Sequence, residues 1–300
     1  MDRATRRRLA AELADDHDGV VHRRALLAAG VGRHELRTEL RCGYWSAVGR
    51  NTISPDGSEL RGRAPLWRAV WEAGPRAILD GAAALIGAGM RQFDASVIDV
   101  WVPPNARAHR GPGVRLHRRR IRGALDGAGV PRLARELAVL NAARWAVSDT
   151  QAALLVCLPV QQRLIHPEAL LAAWLESGRR PMRLDLIITT VCAGAESLGE
   201  LDFARLCVRA GLPAPSRQVP RAGPRGAVYL DCHFDEHNLV VEIDGAQHGW
   251  GLNPLQDQLR SNELVLQSDR VLRIPLLGLR LDPAPWLEQV RRALDLREAS

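Results

Sequence analysis

Lysine is absent from this sequence, because all 41 basic residues among its 300 are arginine. No mechanism that requires a lysine side chain is therefore open to the protein. A run of about 18 apolar residues is also absent, so no membrane-spanning helix and no membrane partner are expected. The first residues lack the apolar stretch of a secretion signal, and we expect a cytoplasmic protein.

Cysteine is sparse and follows no pairing pattern. The five cysteines are odd in number and scattered along the chain, and none belongs to a Cys-x-x-Cys motif. This distribution argues against a disulfide framework and against a zinc ribbon. It fits a reducing compartment.

Charge is distributed unevenly along the chain. Residues 195–300 carry 12 arginines and 15 acidic residues, a net charge of −3, whereas the whole chain carries +7, which leaves +10 for residues 1–194. A basic front part favours nucleic-acid binding, and an acidic back part favours chemistry that uses a metal ion.

Two strands joined by a polar turn are predicted within residues 228–243. Val228 to Phe234 and Leu239 to Ile243 have the composition of strands, and residues 235–238 form a polar turn of the kind that closes hairpins. In a regular hairpin, Asp231 lies opposite Glu242. Since side chains alternate along a strand, both carboxylates then share one face, with Cβ atoms about 5 Å apart.

The acidic face of this hairpin has two interpretations. Asp231 and Glu242 repel each other and have no basic neighbour in the strands, and Asp244 shares their face. A divalent cation such as Mg²⁺ would neutralise the pair, because hard cations bind carboxylate oxygens. Alternatively, the acids line the water-exposed face of an antiparallel sheet, while Val241 and Ile243 point into the core.

The first 56 residues have the pattern of a winged helix-turn-helix. Helices are predicted over residues 4–15, 22–29 and 33–41, and residues 44–53 are predicted to form a small wing hairpin. The third helix would be the recognition helix. Its basic side chains that would face DNA are Arg33, His34, Arg37 and Arg41. The alternative is a packing module with arginines on its surface.

A second basic segment lies near the middle of the chain. Strands are predicted at residues 97–102 and 114–117 as a basic β hairpin, and no acidic residue occurs from 100 to 125. The arginines of this segment either follow a phosphate backbone or keep an exposed edge strand from aggregating. The candidates for phosphate binding are Arg118, Arg119 and Arg120.

Three domains are expected from these patterns. The winged helix covers residues 1–56, a mostly helical region with the basic hairpin covers residues 57–194, and the last domain covers residues 195–300. The last domain has the predicted order α-β-β-β-α-β-α. The fold class is therefore α/β, with α+β character over the whole chain.

Several short motifs occur in the same order as in a known group of nucleases. They are Ser197 to Glu200, Leu230-Asp231, Val240 to Gly245 with His248, Asp257 to Arg260, and Val271 to Ile274. On these residues the last domain resembles the very-short-patch-repair endonuclease-like family of the PD-(D/E)XK nuclease superfamily.

The front part carries shorter motifs. They are Gly19-Val20-Val21, Leu26 to Val31, and Gly43-Tyr44-Trp45. On these residues it is similar to the winged-helix domain of abortive-infection-type antitoxins.

The resemblance to the nucleases implies a metal site. Asp231 and Glu242 would hold Mg²⁺ or Mn²⁺, with Glu200 as a further ligand or as a neighbour of a ligand, and the ion would polarise the scissile phosphate and activate a water. The usual motif has a lysine two residues after the glutamate, where this chain has Asp244. Asp244 and His248 are therefore the candidates to orient the water or to assist proton transfer.

Three more residues belong to the matched motifs. Asp257 and Arg260 are three residues apart on a predicted helix, where they form either a surface ion pair or part of the site. Arg273 lies on an otherwise apolar strand and is expected to reach the site or a phosphate.

Two functions from different classes follow. The first is a divalent-metal-dependent DNA endonuclease with its own DNA-binding winged helix, acting in DNA repair or phage defence. The second is a DNA-binding transcriptional regulator or antitoxin whose nuclease-like domain has lost catalysis. A fusion of toxin and antitoxin, in which the front part restrains the back part, is a third possibility.

Overall fold

The chain is a mixed α/β protein. Its structure, a computed structural model, describes residues 1–57, 59–120, 125–127, 129–193, 203–222, 228–244, 258–259, 262 and 271–295. Within these ranges it has 12 α-helices and three sheets, and none of the helices has the length and apolar character needed to cross a bilayer.

The chain divides into two compact units, residues 1–142 and 143–300. The three expected domains stay a prediction, and their second boundary, after residue 194, lies outside the described residues.

The first unit begins with three helices and a small sheet. These elements are α1 (Arg3–Asp15), β1 (Val21–His22), α2 (Arg23–Ala28), α3 (Arg33–Arg41), β2 (Ser46–Ala47) and β3 (Thr52–Ser54). The antiparallel sheet has the order β1-β3-β2. The predicted bounds of α3 are confirmed, and those of α1 and α2 agree to within one residue.

A buried ion pair fixes α1 against α3. Arg6 Nη2 lies 2.6 Å from Glu39 Oε1, and the Glu39 side chain is only 2% exposed. Around this pair, Leu26, Leu36 and Trp45 belong to one buried apolar cluster. The inner face of α3 is thereby committed to the fold, and its opposite face remains exposed.

The first unit continues with a five-stranded mixed sheet and its helices. The elements are α4 (Ala64–Ala73), β4 (Ile78–Leu79), α5 (Gly81–Gly87), β5 (Ile98–Val102), β6 (Val114–Arg118), β7 (Leu125–Asp126), β8 (Arg132–Leu133) and α6 (Arg135–Trp145). The strand order is β6-β5-β4-β8-β7.

The predicted basic β hairpin is wrong, although its two strands are partners. β5 and β6 pair in parallel, with Ile98 beside Val114 and Val102 beside Arg118. The connection, residues 103–113, is long enough to return to the start of the sheet, whereas a tight turn would have produced an antiparallel pair. The other edge of β5 pairs with β4, a two-residue strand that no local pattern predicted.

The second unit has, in its described part, six helices and a four-stranded sheet, with three helices first in the chain and two after the last strand. The helices are α7 (Asp149–Gln161), α8 (Pro167–Glu176), α9 (Met182–Ala193), α10 (Phe203–Arg209), α11 (Leu276–Leu281) and α12 (Ala284–Asp295). The strands are β9 (Arg217–Ala222), β10 (Val228–Phe234), β11 (Leu239–Asp244) and β12 (Val271–Pro275). The helix predicted to carry Asp257 and Arg260 lies mostly outside the described residues.

The four-stranded sheet has the order β12-β11-β10-β9. β9, β10 and β11 are antiparallel to one another, and β12 is parallel to β11. One face of the sheet is apolar and packs against α10 and α12, with Cys232, Val241, Phe203, Trp286 and Val290 in one buried cluster. Among the described elements the predicted order is confirmed, and the short helix α11 is an addition to it.

Candidate functional site

The acidic face of the β10–β11 hairpin has the predicted register. Asp231 pairs with Glu242, and Cys232 pairs with Val241. Val241 and Ile243 are 0% exposed, which confirms that alternate residues point into the core. Asp231 and Glu242 therefore lie side by side on the opposite face, with Cβ atoms about 5 Å apart.

Three strands contribute a row of charged side chains across this face. Asp231 on β10, Glu242 on β11 and Arg273 on β12 occupy successive positions in the pairing register. Arg273 Nε donates to Glu242 Oε2 at 3.1 Å. The Glu242 side chain is 18% exposed and that of Arg273 is 69% exposed, so the row opens to solvent on the Arg273 side.

The contact between Arg273 and Glu242 corrects one expectation about this face. The carboxylate pair was expected to have no basic neighbour in the strands, and this is wrong because β12 brings Arg273 beside Glu242. Arg273 was expected to reach the site or a phosphate; the structure shows its contact with Glu242, and its role at a site stays a prediction. The apolar pattern of β12 predicts a buried strand. The parallel pairing of β12 with β11, which the pattern does not predict, places its Arg273 beside Glu242.

The remaining acidic and basic candidates divide into two groups. Asp244 lies on the same face, two residues beyond Glu242, and pairs with Tyr229 in the register. At this diagonal position it is about 7–8 Å from Asp231. Glu200, His248, Asp257 and Arg260 lie outside the described residues, and their predicted roles stay predictions.

The described side chains favour oxygen ligands over sulfur. Burial raises the pKa of Cys207 and of Cys232 to about 12, so neither thiol ionises near neutral pH. Cys232 also points to the apolar face, away from its neighbour Asp231. Within the part of the chain that the structure describes, no three His, Cys, Asp or Glu side chains are grouped so that they alone could hold a metal ion.

Asn262 is a site-supporting residue that the sequence did not reveal. Its side-chain amide donates to the Arg273 carbonyl at 2.8 Å and accepts from the Arg273 N–H at 3.2 Å. Asn262 is 1% exposed and also donates to Gln289 Oε1 on α12. The amide thus takes the place of a further strand at the outer edge of β12, and a lone asparagine in a helical stretch gives no local signal of this role.

The predicted DNA-binding residues of α3 share one exposed face. Arg33, His34, Arg37 and Arg41 are all exposed. No ion pair joins any of them to another residue in the described ranges. Their spacing of one, four and eight residues from Arg33 places them along the same side of the helix, opposite Leu36 and Glu39.

The three arginines at the end of β6 have different environments. Arg119 donates to the fully buried Asp80 at 2.5 Å and to Asn141 Oδ1 at 3.1 Å, so its guanidinium is held within the fold. Arg118 donates to the carbonyl of Ala106, and both Arg118 and Arg120 are exposed. Phosphate binding at this segment is accordingly a proposal for Arg118 and Arg120 rather than for Arg119.

Asp99 is a second buried carboxylate in the same unit as Asp80. Asp99 on β5 accepts two bonds from Arg115 and one contact from His117 on β6, at 2.6, 3.0 and 2.7 Å. Burial by itself raises the pKa of Asp99, but the hydrogen bonds from His117 and Arg115 outweigh it, and the pKa lies below its ordinary value. These pairs account for part of the basic charge that the sequence assigned to phosphate binding.

Comparison with known proteins adds no assignment: the chain matches no protein-family model and has no significant match among curated protein sequences.

Proposed function

We propose that this protein is a divalent-metal-dependent DNA endonuclease whose phosphodiester-cleaving site lies on the open face of the four-stranded sheet. The observation that supports it is the pairing of Asp231 with Glu242 on neighbouring strands, on the face opposite the apolar core. Two adjacent carboxylates destabilise a sheet unless a cation lies between or beside them. The order of strands and helices around the pair agrees with the nuclease-like motifs in residues 195–300.

The side chains present fit Mg²⁺ or Mn²⁺. The donors on this face are carboxylate oxygens, and the partial exposure of Glu242 leaves room for water ligands, which Mg²⁺ usually retains. Asp231 and Glu242 would hold the ion, and when bound it supplies a Lewis acid for the phosphate and a water of lowered pKa. Glu200 would add a further oxygen.

Asp244 and His248 would orient the attacking water and carry its proton away. Asp244 lies on the same face as the pair and, in place of the motif's lysine, would accept a hydrogen bond from the attacking water and orient it. His248, four residues beyond the last residue of the same strand, is the candidate to carry the proton away, because imidazole titrates near neutral pH.

The first unit would bring the nuclease to DNA. The elements α1, α2 and α3 with the sheet β1-β3-β2 have the order of a winged helix, and the exposed face of α3 is basic. Arg33, Arg37 and Arg41 would contact phosphates or base edges in the major groove, while Leu36 and Glu39 anchor the helix. Arg118 and Arg120 would add phosphate contacts.

One observation favours the second candidate, a DNA-binding regulator or antitoxin without catalysis. Arg273 already offers Glu242 a positive charge, so the carboxylate pair is partly neutralised without any metal ion. A regulator of this kind would bind its DNA in the presence of a chelator as well as in its absence.

Plasmid nicking in Mn²⁺ tests the proposal. We expect the wild type to nick, and Asp231→Asn and Glu242→Gln to lower the rate about a hundredfold or more, as the loss of a metal ligand requires. Asp235→Asn, an isosteric change in the hairpin turn where the side chain is 56% exposed, is the matched control and should nick like the wild type. Equal nicking by all four proteins, or none by the wild type, would refute the nuclease.

A further inference from the structure

Arg273 is placed beside the carboxylate pair by backbone contacts that fix its position. β12 is the outermost strand on its side of the described sheet, and Asn262 bonds both backbone groups of Arg273 at that edge. Asn262 and Gln289 are 1% and 4% exposed, so the amides that hold the strand are buried. The Cα of Arg273 is therefore fixed relative to β11, and only its side chain extends into solvent.

The guanidinium of Arg273 is only partly used by the fold. Its Nε donates to Glu242. In the described part of the chain no residue bonds its two terminal Nη groups, and the side chain is 69% exposed. A guanidinium has five N–H donors in a planar fork that matches a phosphate or carboxylate, so four donors remain available to an anion approaching from solvent.

A structural role does not account for this arrangement. An ion pair in which one partner is this exposed contributes little to stability, because water screens it and the long side chain loses rotamer freedom. The carboxylates of Asp231, Glu242 and Asp244 are all negatively charged, so they repel the negative charge of a phosphodiester that approaches them. An anionic substrate therefore needs a fixed cation at this face.

We propose that Arg273 forms a phosphate-binding subsite that positions a DNA phosphodiester next to the Asp231–Glu242 pair. This inference rests on the proposed nuclease function and adds the residue that holds its substrate. Glu242 orients the guanidinium through Nε, and the Nη groups bind non-bridging phosphate oxygens as a fork. Neighbouring strands lie about 4.8 Å apart, so the Arg273 and Asp231 positions, two strands apart, are about 10 Å from each other with Glu242 between them, and a phosphate on the Nη groups would lie next to the carboxylate pair.

The subsite also explains how the site works without lysine. The chain has none, and among the described residues Arg273 is the cation in contact with the carboxylate pair. The motif lysine would lie on the same strand as the glutamate, whereas Arg273 lies on the neighbouring strand β12, paired in parallel with Glu242 on β11. A guanidinium stays protonated throughout the physiological pH range and so acts by binding and orienting the phosphate, while proton transfer is left to other groups.

The experiment compares Arg273→Ala and Arg273→Lys with wild type in the full-length chain. Arg209→Ala is the matched control, because it removes one exposed arginine from α10, which packs on the opposite face of the sheet. Two quantities are measured for each protein: Mn²⁺ affinity by calorimetry without DNA, and nicking rate as a function of plasmid concentration. Thermal unfolding followed by circular dichroism checks that each variant folds.

The subsite predicts opposite changes in the two quantities. Arg273→Ala should nick about tenfold or more slowly at limiting plasmid, yet bind Mn²⁺ at least as tightly as the wild type, because a competing cation has left Glu242. Arg273→Lys should recover part of the rate, since it keeps the charge and loses the fork. Arg209→Ala should stay within about twofold of the wild type in both measurements.

Two different failures are distinguishable. If the wild type binds Mn²⁺ and nicks, but Arg273→Ala nicks at the wild-type rate or loses Mn²⁺ binding together with nicking, the subsite is wrong and the nuclease stands. If the wild type neither binds Mn²⁺ nor nicks, the proposed function is wrong and the subsite falls with it. Should Arg273→Ala fail to fold, Arg273→Lys decides, and a wild-type rate in that variant contradicts recognition by the fork.

Discussion

The carboxylates of the two larger sheets differ in how far they and their arginine partners are exposed to solvent. At the five-stranded sheet, Asp80 and Asp99 are 0% and 4% exposed; Asp99 is bonded to Arg115 on β6, and Asp80 is bonded to Arg119, the residue directly after β6. In the four-stranded sheet, Asp231 and Glu242 lie on the open face, and the arginine beside Glu242 is itself 69% exposed. In the first arrangement the carboxylates are buried, whereas in the second the arginine in contact with the carboxylate extends into solvent.

The difference is between carboxylates whose hydrogen bonds stabilise the fold and carboxylates proposed to bind a metal ion or substrate. A buried carboxylate must be bonded on all sides, because an unpaired charge in the interior costs several kcal/mol. Asp80 meets this requirement through Arg119, Asn141 and the N–H of Gly81 at the start of α5. Among the described residues, the charged partner of Glu242 is Arg273, whose side chain extends into solvent rather than into a buried network.

Asp80→Ala should have the largest effect on stability. The change leaves Arg119 and Asn141 without their shared partner and removes the cap of α5. Breaking a buried pair in this way costs about 3–5 kcal/mol. Urea unfolding followed by circular dichroism measures it, with Asp235→Ala in the exposed hairpin turn as the control, for which we expect less than about 0.5 kcal/mol. Equal losses would remove the contrast between buried and open carboxylates.

Acid should weaken the closed cluster through Asp99. Its pKa in the folded protein is below the ordinary value of 3.8, so it binds fewer protons when folded than when unfolded. Its contribution is fully present above pH about 5 and disappears as the pH falls through the lowered pKa. The stability difference between the wild type and Asp99→Asn should therefore shrink below pH 3.8. A difference that grows on acidification would contradict the assignment.

Asp231→Asn should have the smallest effect on stability, and with the opposite sign. It removes the repulsion between directly opposed carboxylates, which is worth about 0.2–1 kcal/mol in a sheet, and it keeps the shape of the side chain. Urea unfolding should give an unchanged or slightly higher free energy of unfolding, even though the same variant is expected to lose nicking. A loss as large as that of Asp80→Ala would mean that Asp231 is structural.

The hairpin shows what local pattern can predict. The bounds of β10 and the pairing of Asp231 with Glu242 follow from alternation and a short turn, and both are confirmed. The bounds of α3 follow equally from a glycine-containing turn and a helical repeat. In these cases the interacting residues are close in sequence, so the number of possible registers is small.

Other features depended on contacts that no local pattern encodes. The parallel pairing of β5 with β6, the short strand β4, and the bond of Arg119 to the buried Asp80 join residues that are distant in sequence. Read along the chain, Arg119 is one of several arginines in a basic stretch. Only the folded structure shows that Arg119 bonds the buried Asp80, whereas Arg118 and Arg120 on either side of it are exposed.

The sequence by itself determined that no lysine takes part, that the hairpin presents Asp231 and Glu242 on one face, and that α3 has a basic surface. The tertiary structure decided which arginine contacts the carboxylates on that face of the hairpin. Arg273 is 31 residues from Glu242, and it meets the carboxylate because β12 pairs in parallel with β11 and Asn262 holds its outer edge. Strand order and parallel register are set by packing of the whole core, so a choice between arginines required the folded chain.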